Sequence, residues 1–189
     1  MATSHILTPE LLRQLLDYDP ETGLLTWKRR GPEWFSDGYR TAQGRANNWN
    51  RKWAGKSALN HLYAASGYRS GAVLEVPIQA HRAAYMVYHG VRISGSIDHI
   101  NGRKEDNRIC NLRDVTSQEN CRNAALYSSN KSGCPGVMWD QSRRRWDAKI
   151  NFDGKQRRLG RFKLKADAVA ARKAAELEHG YHANHGRKP

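Results

Sequence analysis

Ile97 to Asn123 reads IDHINGRKEDNRICNLRDVTSQENCRN, and the fold of the chain turns on this stretch. Asp98 and His99 follow an apolar residue and enter a polar loop that contains Asn101 and Gly102. A second short run follows at Asn111-Leu112-Arg113-Asp114-Val115. Thr116 suits an N-cap and Glu119, three residues on, completes a capping-box pattern, so a helix opens there with Asn120 in its first turn. The spacing predicts strand, loop, strand, helix, with polar groups from separate elements available to one site. Asn-rich stretches also make ordinary turns, and Asp106-Asn107-Arg108 reads as loop chemistry with Asp106 fixing backbone.

The ordered set Asp98, His99, Asn111 and Asn120 resembles the HNH nuclease motif, the ββα-metal fold of endonucleases. The resemblance implies that Asp98 and Asn120 ligate one divalent cation, Mg²⁺ or Mn²⁺. It implies that His99 is the general base on the attacking water, with Asn111 holding the His99 ring through its side-chain carbonyl. Phosphodiester chemistry suits these residue types. A histidine titrates near ambient pH, a cation offsets the charge developing on the phosphorus oxygens, and hard cations take oxygen ligands with water completing the shell.

Composition sets the frame. The 189 residues suit one medium domain or two to three small ones. A hydrophobic fraction of 39% and a mean hydropathy of −0.83 argue against one large core. A net charge of +14 and a pI near 10.0 point to a polyanionic partner. That charge is uneven: residues 127–189 hold 15 Lys and Arg against 6 Asp and Glu. Cys110, Cys121 and Cys134 form no paired Cys-x-x-Cys ligand sets, so no structural zinc is expected and free thiols in a reducing cytoplasm are. No apolar run reaches membrane-spanning length, and Met1 to Glu10 is no signal peptide. The expected setting is the cytoplasm of a bacterial or phage-infected cell, with no membrane partner.

Toward the N-terminus, Thr8 and Pro9 fit the N-cap and first position of a short helix with an apolar stripe of Leu11, Leu12, Leu15 and Leu16. Asp19 to Gly23 reads as a turn and Leu24 to Lys28 as a strand. This opening resembles the N-terminal segment of phage-type HNH proteins, where it would pack on the catalytic unit. Residues 29–60 read as irregular, with Trp34, Trp49 and Trp53 among Arg45, Arg51, Lys52 and Lys56. Such aromatics either stack on nucleic acid or anchor a loop-rich region, the commoner fate of tryptophan. Gly67 to Ile78 suggests a hairpin turning near Ser70-Gly71, and Ala80 to Tyr88 a helix ending at Gly90 with Ala84, Val87 and Tyr88 inward. His81 on that helix reads as a hydrogen-bonded structural histidine.

From Ser132 onward the pattern changes. Gly133 to Trp139 leads into a strand, and Arg143-Arg144-Arg145 precedes a second, Trp146 to Asn151, that alternates cleanly. Asp153-Gly154 signals a hairpin turn. Leu159 and Phe162 on the third strand are three apart, which requires a bulge near Gly160. A helix from about Leu164 to Glu178 would lay Leu164, Ala168, Ala171 and Ala175 on the sheet. Gly136-Val137, Trp146-x-Ala148-x-Ile150, Leu159-Gly160-x-Phe162 and the alanine-rich helix resemble the plant ethylene-response-factor (Apetala-two) DNA-binding domain. That resemblance implies an open sheet face on the DNA major groove. Its contacts would be Arg145, Lys149, Arg157, Arg158 and Arg161, with Arg143 and Arg144 at the turn, and Asp147 either reading cytosine or orienting an arginine.

The expected architecture is α+β: a ββα-metal HNH unit with an N-terminal extension, plus three antiparallel strands packed on one helix. The boundaries are 1–79 for the extension, 80–126 for the nuclease core, 127–131 for a linker and 132–189 for the DNA-binding domain. The expected function is a metal-dependent, site-selective endonuclease of phage or homing type, a monomer that nicks double-stranded DNA. The alternative is a non-catalytic, DNA-binding regulator on a nuclease-like scaffold.

Overall fold

Thr8 starts the first helix, α1 (Pro9–Leu15), as expected: its hydroxyl oxygen accepts from the Leu11 N–H at 3.2 Å, and Pro9 takes the position where no N–H is needed. The computed structural model describes residues 6–116, 120, 126, 129–182 and 185–186. The helix stops one residue before the end of its leucine stripe, and Leu16 opens strand β1 (Leu16–Tyr18), which pairs antiparallel with β2 (Leu25–Trp27). Both segments still point their leucines inward, so the stripe does its packing work across a change of element.

Residues 29–60 are not irregular throughout. Thr41 caps a twelve-residue helix, α2 (Ala42–Trp53), accepting from the Gly44 N–H at 3.2 Å. A glycine and three asparagines in AQGRANNWNRKW depress helix propensity, and Ala46 alone of its residues is buried, so no apolar period betrays it. Strands β3 (His61–Tyr63), β4 (Tyr68–Val73) and β5 (Val76–Gln79) form an antiparallel sheet in chain order. Its β4–β5 turn lies at Leu74-Glu75, not at Ser70-Gly71; both turn residues have positive φ, 49° and 67°. Gly71 is a strand residue whose role is close approach: a Cβ there would meet the Leu59 backbone at 3.1 Å. A primed turn made without Gly or Asn carries no sequence signal.

Helix α3 (Ala80–His89) ends at Gly90, which takes the left-handed conformation and donates back to Met86. Its inward residues are Ala80, His81, Ala83, Ala84 and Met86, whereas Tyr88 is half exposed. Strands β6 (Ser96–His99) and β7 (Leu112–Val115) pair antiparallel, with Asp98 opposite Arg113 and His99 opposite Leu112. One apolar cluster joins these parts: Leu12, Leu15, Leu16 and Leu25 pack with Val73, Ala83, Ala84, Ile97 and Leu112. These elements belong to one compact unit that ends at Val115.

A second compact unit begins at Thr116. Strands β8 (Val137–Asp140), β9 (Arg145–Phe152) and β10 (Lys155–Phe162) form an antiparallel sheet with β9 central, and helix α4 (Lys165–Glu178) packs on it. Asp153 and Gly154, with φ of 50° and 70°, make the β9–β10 turn. The register slips between Arg158 and Gly160, so Leu159 is the extra residue of the expected bulge. The buried face of α4 holds Ala168 and Ala175, but Leu164 is exposed at the N-cap, and Arg172 and Glu176 are buried in its place. That burial is tolerable because the pair is closed: Arg172 Nε donates to Glu176 at 2.9 Å and Nη1 to the Lys149 carbonyl at 2.6 Å.

The observed class is α+β. The expected capping partner Glu119, with Ser117 and Gln118, and Cys121 lie outside the described residues. Among the described residues no helix is long and apolar enough to cross a membrane. Leu12 is fully buried at the centre of the first unit's core. Leu12→Ala should destabilise that unit by about 3 kcal/mol, read as a lower midpoint in urea unfolding followed by tryptophan fluorescence.

Candidate active site and nucleic-acid interface

Asp98 and His99 are the last two residues of β6, and successive strand residues point to opposite faces. Asp98 therefore lies across from Arg113, whose Nε and Nη2 donate to Oδ2 at 3.1 and 2.8 Å. The carboxylate is nearly buried and the arginine partly exposed, and the pair fixes the position of the carboxylate. His99 is 3% exposed. Its Nε2 lies 3.1 Å from the side-chain oxygen of Asn107, an amide orientation that puts the ring proton on Nε2. The His99 ring also meets His81 from α3 at 5.0 Å between centroids and Tyr68 from β4 at 5.9 Å. Burial pushes the His99 pKa below its ordinary value, opposed by the Asn107 hydrogen bond and by the nearby Asp98 and Asp106 carboxylates.

Asn111 serves the loop. Its side-chain oxygen accepts from the Asn101 N–H at 2.8 Å and its amide donates to the Asp106 carbonyl at 2.7 Å. The two bonds tie both ends of the turn that presents Asn107. The carbonyl expected to hold the His99 ring is thus engaged with backbone, and Asn107 faces the ring instead. Asp106 fixes the same turn: it accepts a fork of hydrogen bonds from Arg108 at 2.8 and 2.7 Å and another from Asn101 Nδ2 at 2.8 Å. These bonds hold its carboxyl well below the usual carboxylate range. Arg103, Lys104 and Arg108 border an open depression of about 660 Å³ beside Gly67 and Gly102.

His81 and Asn107 are the residues that sequence reasoning passed over. His81 is 4% exposed and its Nδ1 has no hydrogen-bond partner, unlike the hydrogen-bonded histidine expected. Desolvation, with the nearby His99 and Arg82, pushes its pKa down to about 3, so it stays neutral and forms an uncharged wall beside His99. The signal for Asn107 was its place in Asp106-Asn107-Arg108, which reads equally well as a generic turn.

Asn120 lies beyond Val115, in the second unit; its N–H donates to the Thr116 carbonyl at 3.0 Å, the spacing of a helical turn. Among the described residues no three His, Cys, Asp or Glu side chains gather to hold an ion. Asp98 contributes a carboxylate at the end of β6, its Oδ2 accepting both bonds from Arg113. A carboxylate oxygen is the ligand type that a hard divalent cation takes, and such a cation asks few ligands of the protein.

In the second unit the β9–β10 register sorts the basic residues. Arg158 lies opposite Lys149 and Arg161 opposite Asp147, all on one face with Arg145. Asp147, 5% exposed, collects three cations there: Arg161 Nε at 3.3 Å, Arg158 Nε at 3.4 Å and Lys149 Nζ at 3.9 Å. It orients arginines, the second of its two expected roles. Arg157 lies opposite Ile150, on the other face, with its guanidinium 5.5 Å from the Phe152 ring centre. At the β8–β9 turn, Arg143 is tied to Asp140 at 3.0 Å, and Arg144 has a φ of 50°.

Residues 79–122 match a family model described as HNH endonuclease. The chain is also similar to protein 3.8 of Escherichia phage T7, with 37% identity over 60 residues; the aligned part is 32% of this chain and 50% of that protein. The chain therefore spans about half the length of that curated relative. No solved structure matches. The segment carrying Asp98, His99 and Asn111 is thus similar to HNH endonucleases.

The buried, neutral His81 sets a pH dependence. Its folded-state pKa lies below the ordinary value of 6.5, so the unfolded chain binds the proton first. Stability should fall as pH drops from 6.5 toward 3, and His81→Phe should flatten that fall, measured as urea midpoints across the range.

Proposed function

We propose that the chain is a metal-dependent DNA endonuclease that hydrolyses phosphodiester bonds in duplex DNA, with His99 as general base. The observation that carries this reading is the setting of His99: nearly buried, its pKa pushed below the ordinary value by desolvation, and its Nε2 held by Asn107. With the proton on Nε2, the lone pair is on Nδ1, where it can take a proton from an attacking water. Asn111 acts one step back, fixing the turn that delivers Asn107. Asp98 is the proposed protein ligand of one divalent cation, Mg²⁺ or Mn²⁺, and the metal role proposed for Asn120 rests on its place in the sequence motif alone. When bound, that cation would offset the negative charge developing on the scissile phosphate. Arg113 orients the Asp98 carboxylate through its two hydrogen bonds.

The basic face of the three-stranded sheet is the proposed grip on duplex DNA. Arg145, Lys149, Arg158 and Arg161 share it, with Arg143 and Arg144 at the adjoining turn. Asp147 spaces two of the arginines, so they are presented as an ordered pair and not as independent charges. One catalytic set per chain fits a nick, leaving 5′-phosphate and 3′-hydroxyl ends, and a phage or mobile-element origin fits the relative found.

His99→Ala should abolish metal-dependent nicking of supercoiled plasmid while leaving DNA affinity within about twofold. Cleavage that survives the substitution would remove His99 from the mechanism, and tight DNA binding by the intact protein with no cutting in Mg²⁺ or Mn²⁺ would favour the regulatory reading. Arg158→Ala with Arg161→Ala removes two proposed phosphate contacts. The slope of log affinity against log salt should become shallower by about 1.8, at about 0.9 per contact, measured by fluorescence anisotropy on a labelled duplex.

A further inference from the structure

Arg30 departs from the way this protein treats its other buried charges. It is 92% buried, by an exposure of 8%, yet its guanidinium makes no ion pair and its Nε has no hydrogen-bond partner among the described residues. Its backbone is pinned on both sides by one side chain: Asn50 of α2 accepts from the Arg30 N–H and donates to the Arg30 carbonyl, each at 2.8 Å. The guanidinium is thereby laid over two indoles, 4.0 Å from the Trp49 ring centre and 5.1 Å from that of Trp27. Trp27 and Trp49 meet edge to face at 5.7 Å. These groups, with Trp34, Trp53 and Arg45, line a cavity of about 460 Å³. Glu75, exposed at a positive-φ turn, lines it too, and no ion pair joins it to Arg30 among the described residues.

A buried cation without an anion is costly, and an anionic ligand in this cavity would supply the missing charge. A cavity walled by indoles asks for a flat aromatic surface, and stacking on such walls is indifferent to sequence. A nucleotide brings both at once: a planar base and a phosphate. The volume falls within the usual range for small-ligand sites, and it suits one nucleotide, not a duplex. The geometry points to this cavity as a binding site for one unpaired nucleotide of a DNA strand, its base stacked among Trp27, Trp49 and Trp53 and its phosphate facing Arg30. The site deepens the nuclease reading, because it adds a contact to unpaired DNA that the basic sheet face does not supply.

The test uses the full chain in EDTA, so that no cleavage is involved and a failed nuclease reading leaves the result interpretable. Titration with a short oligothymidylate should quench tryptophan fluorescence in a saturable way, and thymidine monophosphate alone should quench far less. Arg30→Met should weaken the oligonucleotide at least tenfold while unfolding at the same or a higher temperature, because it removes an unpaired buried charge. Trp53→Ala, at an exposed edge of the cavity, should also reduce the quench without affecting the fold, and it carries the test if Arg30→Met does not fold. Duplex affinity should be retained in both variants. Three results would overturn the proposal: no saturable quench, quench and affinity unchanged in the variants, or equal binding of the free mononucleotide. A drop in unfolding temperature for Arg30→Met with binding intact would assign Arg30 to packing instead.

Discussion

The turn between β6 and β7 is closed across its two ends by a buried carboxamide. Asn111 bridges the Asn101 N–H and the Asp106 carbonyl, and the Ile100 N–H closes the base of the turn on the Asn111 carbonyl at 2.9 Å. Buried backbone groups need such partners, and a loop that cannot use a sheet ladder must find them in side chains. Once Asn111 fixes the two ends, Asn107 has little choice of position: its carbonyl accepts from the Tyr18 hydroxyl at 2.7 Å and its side-chain oxygen meets His99. The orientation of the candidate base is therefore a consequence of loop closure. A substitution at Asn111 would act on His99 without touching it.

The buried charges form a second pattern. Asp98 faces Arg113, Glu176 faces Arg172 and Lys173, and Asp147 collects two arginines and a lysine. In each case desolvation is offset by a partner within 4 Å, the condition under which burying charge is tolerable. The same arithmetic explains why these sites have fixed geometry, since a half-exposed arginine tied to a buried carboxylate loses most of its rotamers. Arg30 stands outside this pattern and has aromatic faces for company. Burial pushes its pKa down to about 10, which still leaves it charged near neutrality.

Much of the fold was legible in both units where local chemistry and tertiary packing agree. Thr8-Pro9 capping, the Gly90 stop, the Asp98-His99 strand and the Asp153-Gly154 turn all rest on residues whose preferred backbone is the one they adopt. Leu74-Glu75 was not legible, since both residues take a conformation that their side chains disfavour and that the rest of the hairpin imposes. Helix α2 was hidden by poor formers and by a helix face that packs Trp49 against an arginine and not aliphatics on a core. At the site, residue types were readable but the wiring was not. Asn107 and Asn111 are chemically identical, and only the path of the chain decides which one faces His99 and which one ties the loop. Arg157 shows the same limit: a one-residue count along β10 decides its face, and the register comes from the hairpin turn.

The residues that make the site cannot be confined to the segment similar to HNH endonucleases. β6 and β7 form a two-stranded sheet, and an isolated pair of strands is marginal in water. The apolar support for Ile97 and Leu112 comes from α1, β1, β2 and α3, three of which precede residue 79. The turn after β1 reaches further: the Pro20 carbonyl accepts from the Ile109 N–H at 3.1 Å. Gly23, at a φ of 76°, lets the backbones of Asn107 and Arg108 pass where a Cβ would stand 2.6 Å from them. Together with Tyr18, these contacts make the N-terminal hairpin a wall of the turn that holds Asn107. A side chain at position 23 would push on that turn directly, so the glycine is as much a requirement of the site as the asparagine that faces the imidazole.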